Sequence, residues 1–179
     1  NHREHTERMV AMAFREITVE NLKDNPFTLI NKDWMLITAG NAQSHNTMTA
    51  SWGGVGELWG KYVSTSYIRP QRYTLEFVER EDYYSLCFFD PAYREALTLC
   101  GRRSGRELDK DQATGLTPLF DREAPYYQQA RLVFLCRKLY RQDLEERCFL
   151  DQKALETNYP QRDLHRMFIG EIVSVLERE

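Results

Sequence analysis

The sequence predicts a mainly β protein, a closed or partly closed β-barrel with short helices between its strands. Short segments rich in β-branched and aromatic residues recur along the chain, and Gly, Pro and Asn separate them. The stretches with helical spacing between these segments are few and short. Even spacing of short strands favours a barrel over a doubly wound sheet, in which strands alternate with long helices.

In the first half of the chain, alternating or β-branched residues predict strands over residues 14–19 and 61–67. A dense apolar run predicts a buried strand over 34–39. The Asn-Pro-Phe sequence at 25–27 indicates a turn or a helix start. The polar stretch 41–52 is interpreted as a loop that re-enters the sheet.

The second half alternates short helices with longer strands. One helical turn is predicted within 69–77, with Pro70 at its first position. Apolar spacing predicts a helix over 91–100 that Gly101 ends, and a second one follows over 109–114. Strands are predicted over three apolar runs, the last with Gly170 as a bulge or close-approach site. These runs are 83–89, 131–140 and 164–176. A further segment, 145–150, is expected to pair with the strand over 131–140.

Composition limits the class of protein. The chain has 179 residues, of which 42% are hydrophobic and 28% charged, so we expect one globular domain over residues 13–179. Polar residues 1–12 are interpreted as a disordered tail or an expression-tag remnant. A net charge of −3 spread along the chain argues against a nucleic-acid binder.

The cellular location follows from what the sequence lacks. No run of 18 apolar residues predicts a membrane helix, and no charged-then-apolar leader begins the chain. The four cysteines contain no C-x-x-C pair, which argues against a metal knuckle or a redox dithiol. We therefore expect a cytoplasmic protein without a metal site.

Two polar segments would suit a ligand that has a flat polar ring at one end and a phosphate at the other. Residues 46–52 read N-T-M-T-A-S-W and offer backbone N–H groups, amide and hydroxyl side chains and a flat indole, contributed by Asn46, Thr47, Met48, Thr49, Ser51 and Trp52. Residues 69–74 follow, with Arg69, Arg72, Tyr73 and Thr74 as phosphate-binding candidates. The alternatives are a surface turn before a core tryptophan, and a solvated arginine pair linked to Glu76 or Glu79.

Two further segments carry candidate residues. Residues 101–110 form a basic, glycine-containing stretch in which Ser104 and Lys110 would reach a ligand, unless the segment is only a flexible loop. His165 lies at the start of the last predicted strand, as a structural histidine, a proton donor or a nicotinamide contact. The sequence has no G-x-S-x-G or H-E-x-x-H motif, which disfavours the familiar hydrolase and metalloprotease sites.

These four segments, in this order, resemble motifs of the flavin reductase-like family and its flavoredoxin-like branch. Residues 46–52 match every position of the family pattern N-T/S-M-T-x-S-W, and residues 69–74 match R-P-x-R-x-T. Residues 104–110 match S-G-R-D-x-D-K except that Glu107 replaces the first Asp. The closing motif G-D-H is altered to Asp163-Leu164-His165, which puts direct use of NAD(P)H in doubt.

The resemblance implies an FMN-binding split β-barrel with Greek-key-like connectivity, and a homodimer with flavin sites at the interface. The segment 46–52 would then contact the flavin ring and ribityl chain, and 69–74 would hold the phosphate. Ser104 and Lys110 would approach the flavin, and His165 would lie near the ring as the candidate catalytic residue. The implied function is electron transfer through FMN, by a flavin reductase that takes electrons from NAD(P)H or by a flavoredoxin-like carrier with a redox protein partner. The alternative is a non-redox split barrel that binds a phosphorylated metabolite or a protein.

Overall fold

The computed structural model describes residues 13–179, and the tail predicted over residues 1–12 lies outside this range. Strands dominate it, which confirms the mainly β class. The strands are β1 (Phe14–Ile17), β2 (Met35–Gly40), β3 (His45–Ala50), β4 (Gly53–Leu58), β5 (Lys61–Ile68), β6 (Tyr83–Phe88), β7 (Pro118–Leu119), β8 (Tyr126–Tyr127), β9 (Leu132–Asp143) and β10 (Arg166–Arg178).

The helices are short. They are α1 (Pro26–Thr28), which continues as a π-helical turn over Leu29–Asp33, then α2 (Thr74–Arg80), α3 (Arg94–Arg102), α4 (Lys110–Thr114) and α5 (Gln152–Asn158), with 3₁₀ turns at Val19–Asn21, Pro91–Tyr93 and Glu146–Cys148. Side chains begin three of the helices, because Asn25, Asp109 and Asp151 each accept hydrogen bonds from backbone N–H groups of the first turn.

Eight strands form one antiparallel sheet in the order β3-β2-β6-β9-β10-β5-β4, and β1 pairs with the end of β10. Strand β10 pairs with β9 along nearly its whole length and with β5 along its first half. The two edge strands, β3 and β4, are joined in sequence by only Ser51 and Trp52. The sheet therefore curls until its edges come close, as in a barrel that is split along one seam.

Strand β2 and the first half of strand β9 are buried on both faces. Neighbouring residues of β2 alternate between two hydrophobic clusters, with Ile37 in the cluster that includes α2 and Leu36 in the one that includes α3. Neighbouring residues of β9 alternate in the same way, with Phe134 in the first cluster and Leu135 in the second. Burial on both faces makes these strands continuous apolar runs, and their existence was predicted correctly for this reason.

The predicted loop over 41–52 is wrong, because residues 45–50 form strand β3. Asn41 starts a tight turn by accepting hydrogen bonds from the backbone N–H groups of Gln43 and Ser44, each at 3.0 Å. The strand then pairs with β2 along its whole length. Its polar side chains find partners inside the protein: the hydroxyls of Thr47 and Thr38 lie 2.8 Å apart across the two strands.

Several other boundaries differ from the expectations. Residues 145–150 do not pair with β9 but contain the 3₁₀ turn Glu146–Cys148, and Gly101 lies within α3 rather than ending it. Pro70 lies in a turn closed by a hydrogen bond from the Arg72 N–H to the Arg69 carbonyl, and α2 begins only at Thr74. Helix α5 was not predicted.

Gly170 is confirmed as a bulge and as a close-approach site. The register of β10 against β9 shifts between Ile169 and Gly170. A Cβ atom at this position would lie 2.4 Å from the Tyr84 hydroxyl oxygen, so only glycine fits without movement of the buried tyrosine.

Candidate functional site

A cleft of about 210 Å³ opens where β3 leads into β4, and below it is called the ring cleft. Its lining residues are Met48, Thr49, Ala50, Ser51, Trp52, Tyr67, Arg69, Arg72 and His165. The ring cleft therefore brings together three of the segments singled out from the sequence. Strand β5 supplies Tyr67 because it pairs with the first half of β10, next to His165.

Three aromatic rings, those of Trp52, Tyr67 and His165, form part of the wall of the ring cleft. Trp52 is 46% exposed, so it is not a core tryptophan, and its ring lies 5.2 Å from that of His165. Tyr67 meets the same imidazole edge-on, with ring centroids 6.4 Å apart. A half-exposed indole beside these two rings offers a flat apolar surface to a planar ligand.

A smaller recess of about 100 Å³ adjoins the ring cleft at Arg72, and below it is called the basic recess. It is lined by Asn46, Gln71, Arg72, Tyr73, Thr74, Arg102, Arg103, Ser104, Gly105 and Lys110. The third segment thus meets the second one here, although the two lie 27 or more residues apart in sequence. Arg72 lines both cavities.

Arg72 and Lys110 hold the C-terminal end of α3. Lys110 Nζ donates to the carbonyl oxygens of Thr47 at 2.7 Å and Cys100 at 3.0 Å. Arg72 donates to the carbonyl oxygens of Gly101 at 2.9 Å and Cys100 at 3.2 Å. The last carbonyls of a helix lack partners within the helix and carry partial negative charge, so both cations are well placed here.

Among residues 13–179, neither of these two cations has a carboxylate partner. The nearby acids are engaged elsewhere in the described chain, Glu76 with Arg106 at 3.2 Å and Asp163 with Arg69 at 2.9 Å. Burial lowers the pKa of Arg72, and burial, with the neighbouring guanidinium adding to it, lowers the pKa of Lys110 to about 8. Buried like charges without acids make the recess a favourable place for an anion.

Arg69 differs from Arg72, although both line the ring cleft. Its guanidinium pairs with Asp163, donates to the Asn158 carbonyl at 3.1 Å and lies 5.0 Å from the centroid of the Tyr159 ring. The arginines are therefore not a solvated pair linked to Glu76 or Glu79, and that alternative is wrong. Arg72 alone of the two retains unneutralised charge.

Several predicted side chains that line the two cavities already have hydrogen-bond partners within the protein. The Thr49 hydroxyl donates to the Leu97 carbonyl of α3, and the Thr74 hydroxyl accepts from the Asn46 amide at 2.8 Å. The Ser104 hydroxyl accepts from the Arg106 N–H at 3.1 Å. The Thr47 hydroxyl faces Thr38, so Thr47 contributes only its carbonyl to the site.

Tyr73 and Met48, two other predicted contacts, both pack against other side chains of the protein. The Tyr73 ring packs between Phe77 and the guanidinium of Arg106, while Met48 is buried and lines the ring cleft. The roles predicted for residues 46–52, 69–74, 104 and 110 toward a ligand stay predictions.

His165 is neutral in this setting. It is only 8% exposed, and burial, reinforced by the charge of Arg69, lowers its pKa to about 4. This lowered pKa does not support a role as proton donor at pH 7, and the catalytic role predicted for His165 stays a prediction. The imidazole Nδ1 lies 2.6 Å from the Tyr159 hydroxyl.

Sequence reasoning missed several residues of the site, including Ala50, Arg102 and Arg103, which line the cavities. Tyr67 and Gln71 flank the R-P motif and line the two cavities. Gly105 packs so closely on Asn46 that a Cβ there would lie 2.1 Å from the amide oxygen. Tyr159 precedes a proline and has no signal in the sequence, because its contact with His165 depends on the path of residues 144–165.

A further cavity of about 360 Å³ lies beyond Asn46 and Lys110. In its wall His45 Nε2 lies 2.5 Å from a carboxylate oxygen of Asp111, and the Tyr127 hydroxyl donates to the other oxygen at 2.6 Å. The hydrogen bond to Asp111 raises the pKa of His45, against the opposing effect of burial. This network ties α4, which carries Lys110, to the turn before β3.

Two further observations concern residues 13–179. None of the helices there is long and apolar enough to cross a membrane. No group of three or more His, Cys, Asp or Glu side chains in that range is arranged to hold a metal ion.

Solved structures with this fold are described as flavin proteins. A flavoredoxin from Desulfovibrio vulgaris (Miyazaki F) is 20% identical, with a TM-score of 0.64 over 92% of this chain and 78% of that one. An FMN-binding domain of a flavin reductases-like enzyme from Shewanella baltica OS155 is 15% identical, with a TM-score of 0.64 over 92% and 77%.

A protein with a split barrel domain from Shewanella frigidimarina NCIMB 400 is 21% identical, with a TM-score of 0.62 over 87% of this chain and 75% of that one. These likenesses confirm the split-barrel fold. No curated protein matches the sequence. The profile of the flavin reductase like domain matches residues 28–179, so the chain belongs to the flavin reductase-like family.

Proposed function

We propose that the protein binds FMN and transfers electrons through it. The observation that carries this proposal is the junction of two unlike cavities at Arg72. The ring cleft offers the flat indole of Trp52 and the Tyr67 ring to the isoalloxazine, and the basic recess has two cations, buried Lys110 and half-buried Arg72, without acid partners among residues 13–179, which suit a phosphate. The donor set of this chain therefore fits FMN.

Different residues would bind different parts of FMN. Arg72 and Lys110 would hold the phosphate, with donors to spare, since a guanidinium has five N–H groups and an ammonium has three. Met48, Trp52 and Tyr67 would cover the ring and exclude water. Bound FMN would supply the redox chemistry itself, which no protein side chain provides here.

The electron donor and partner belong to the same proposal. A neutral His165 does not supply a proton at pH 7, and the altered closing motif lacks the family's Gly-Asp-His. Both observations favour a flavoredoxin-like carrier that exchanges electrons with a redox protein, over a reductase that uses NAD(P)H. The flavoredoxin named above supports this choice.

We further propose a homodimer with flavin sites at its interface. An apolar groove of about 410 Å³ adjoins the ring cleft along Trp52, and Phe27 at its rim is 82% exposed. A second copy of the chain would cover this surface. A cytoplasmic location is proposed as well, supported by four free cysteines, of which three are buried.

The experiment is an absorption spectrum of the purified protein supplied with FMN, taken before and after anaerobic addition of NADH or NADPH. We expect flavin bands that stay with the protein through gel filtration, and little bleaching by either nucleotide. Rapid bleaching would make the protein a reductase. A protein that takes up no FMN would overturn the proposal and favour the non-redox binding module.

A further inference from the structure

We propose that Tyr159 is a positioning residue that holds His165 as the Nε2–H tautomer, so that a neutral N–H donor faces the ring cleft. This inference deepens the proposed function and rests on it for the ligand, but the tautomer itself is a property of the protein alone. Tyr159 belongs to none of the four sequence segments and reaches the site only through the fold.

The geometry around the Tyr159 hydroxyl decides which group donates. Its oxygen lies 2.6 Å from His165 Nδ1, and both residues are buried, with 4% and 8% of their surface exposed. The hydroxyl has no other acceptor among residues 13–179. The Arg69 guanidinium, which lies over the Tyr159 ring, only donates hydrogen bonds. A buried hydroxyl without an acceptor is costly, so Tyr159 donates to Nδ1.

The tautomer of His165 follows from this direction. An Nδ1 atom that accepts a hydrogen bond carries no proton, so the single proton of the neutral ring resides on Nε2. Nε2 makes no hydrogen bond to the described part of the chain, and the ring lines the ring cleft beside Trp52. The free N–H is therefore available to an acceptor atom of a ligand there.

The charges near the imidazole keep it neutral. Burial and the positive charge of Arg69 lower its pKa, and the carboxylate of Asp163 raises it, though by less. Asp163 is itself engaged by Arg69 and by the Gln71 amide at 2.9 Å. A hydrogen bond donated to Nδ1 also favours the neutral ring, so the contact from Tyr159 acts in the same direction as the charges.

Tyr159 is itself held firmly enough to position another ring. It follows α5, where its N–H donates to the Leu155 carbonyl at 2.8 Å. Its ring meets Phe149 edge-on with centroids 5.9 Å apart, and Arg69 covers it. Because its backbone, Phe149 and Arg69 fix the Tyr159 side chain, its hydroxyl can hold the His165 ring in one orientation.

The test is the tautomer of His165, read from long-range ¹H–¹⁵N correlation spectra of the protein without flavin. We expect a protonated Nε2 and an unprotonated Nδ1 in the wild-type protein at pH 7. Tyr159→Phe, which keeps the ring and removes the hydroxyl, should mix the two tautomers and raise the pKa of His165. The matched control is Tyr62→Phe, because the Tyr62 hydroxyl donates to Glu20 at the surface, 2.5 Å away.

An Nδ1-protonated ring in the wild-type protein would overturn the proposal, and so would an unchanged tautomer in a folded Tyr159→Phe variant. Titration with FMN then separates this inference from the proposed function. We expect FMN to shift the His165 Nε2 signal, and Tyr159→Phe to weaken binding about fivefold, the loss of one ordinary hydrogen bond. A protein with the expected tautomer that binds no FMN would support the role of Tyr159 and overturn FMN binding instead.

Discussion

Replacing Lys110 by methionine tests whether the buried charge serves a ligand or only the fold. The ammonium is 5% exposed and donates to two carbonyls, and the variant would lose both hydrogen bonds, at about 1.5–3 kcal/mol for each bond to a charged group. The pKa of Lys110 falls from 10.5 to about 8, so keeping the charge inside costs the folded protein about 3 kcal/mol. Relief of this cost offsets most of the loss.

We therefore expect Lys110→Met to lower the free energy of unfolding by less than about 3 kcal/mol in urea titrations. FMN binding should weaken by about tenfold to a hundredfold, because one charge-assisted contact to the phosphate is lost. Quenching of flavin fluorescence measures this affinity. Lys138→Met is the matched control, since Lys138 also donates to a carbonyl, that of Glu79 at 2.9 Å, and lines neither cavity.

The pH dependence of binding sharpens the same test. In the wild-type protein FMN affinity should fall as pH rises through about 8, because Lys110 loses its proton and its charge. Lys110→Met should lack this decline, and Lys138→Met should retain it. A variant that loses more than about 3 kcal/mol of stability while its FMN affinity is unchanged would refute the reasoning and make Lys110 a purely structural lysine.

Three other predictions use the same structure. Arg72→Ala should weaken FMN binding by about 1.5–3 kcal/mol, whereas Arg80→Ala, on the exposed end of α2, should leave it unchanged in the same titration. Trp52→Ala should stay folded and change the absorption spectrum of bound flavin, and an unaltered spectrum would place the indole away from the ring. The His45–Asp111 pair should stabilise the fold below pH 6.5, and this contribution should disappear as pH rises through the raised pKa of His45. Urea titrations across this range should show a shallower decline in His45→Gln, and an identical pH profile would contradict the assignment.

The strands that sequence patterns predicted best are those whose burial is visible in the pattern itself. Strands such as β2 and β9 are apolar on both faces, so no knowledge of their neighbours was needed. Strand β3 was missed because its polar side chains have partners brought from elsewhere: Thr47 faces Thr38 on the adjacent strand, and Asn46 donates to Thr74, 28 residues away. A strand whose polar side chains are hydrogen-bonded inside the protein has the same polar composition as a surface loop, so the sequence alone does not distinguish the two.

The sequence motifs identified the segments of the site better than the roles of single side chains. Arg69 and Arg72 look equivalent in the motif, but Asp163, 94 residues after Arg69, neutralises only one of them. The pKa of His165 likewise depends on burial and on Arg69, neither of which local sequence shows. Tertiary neighbours decide which charges remain available to a ligand.

Calorimetric titration of the protein with FMN and with riboflavin, which lacks the phosphate, tests the central claim most directly. The account predicts that FMN binds at least about tenfold more tightly, since Arg72 and Lys110 have no anion to hold in riboflavin. The preference should shrink in Lys110→Met and persist in Lys138→Met. Equal affinity for the two flavins, or binding of neither, would contradict the assignment of the basic recess as a phosphate site.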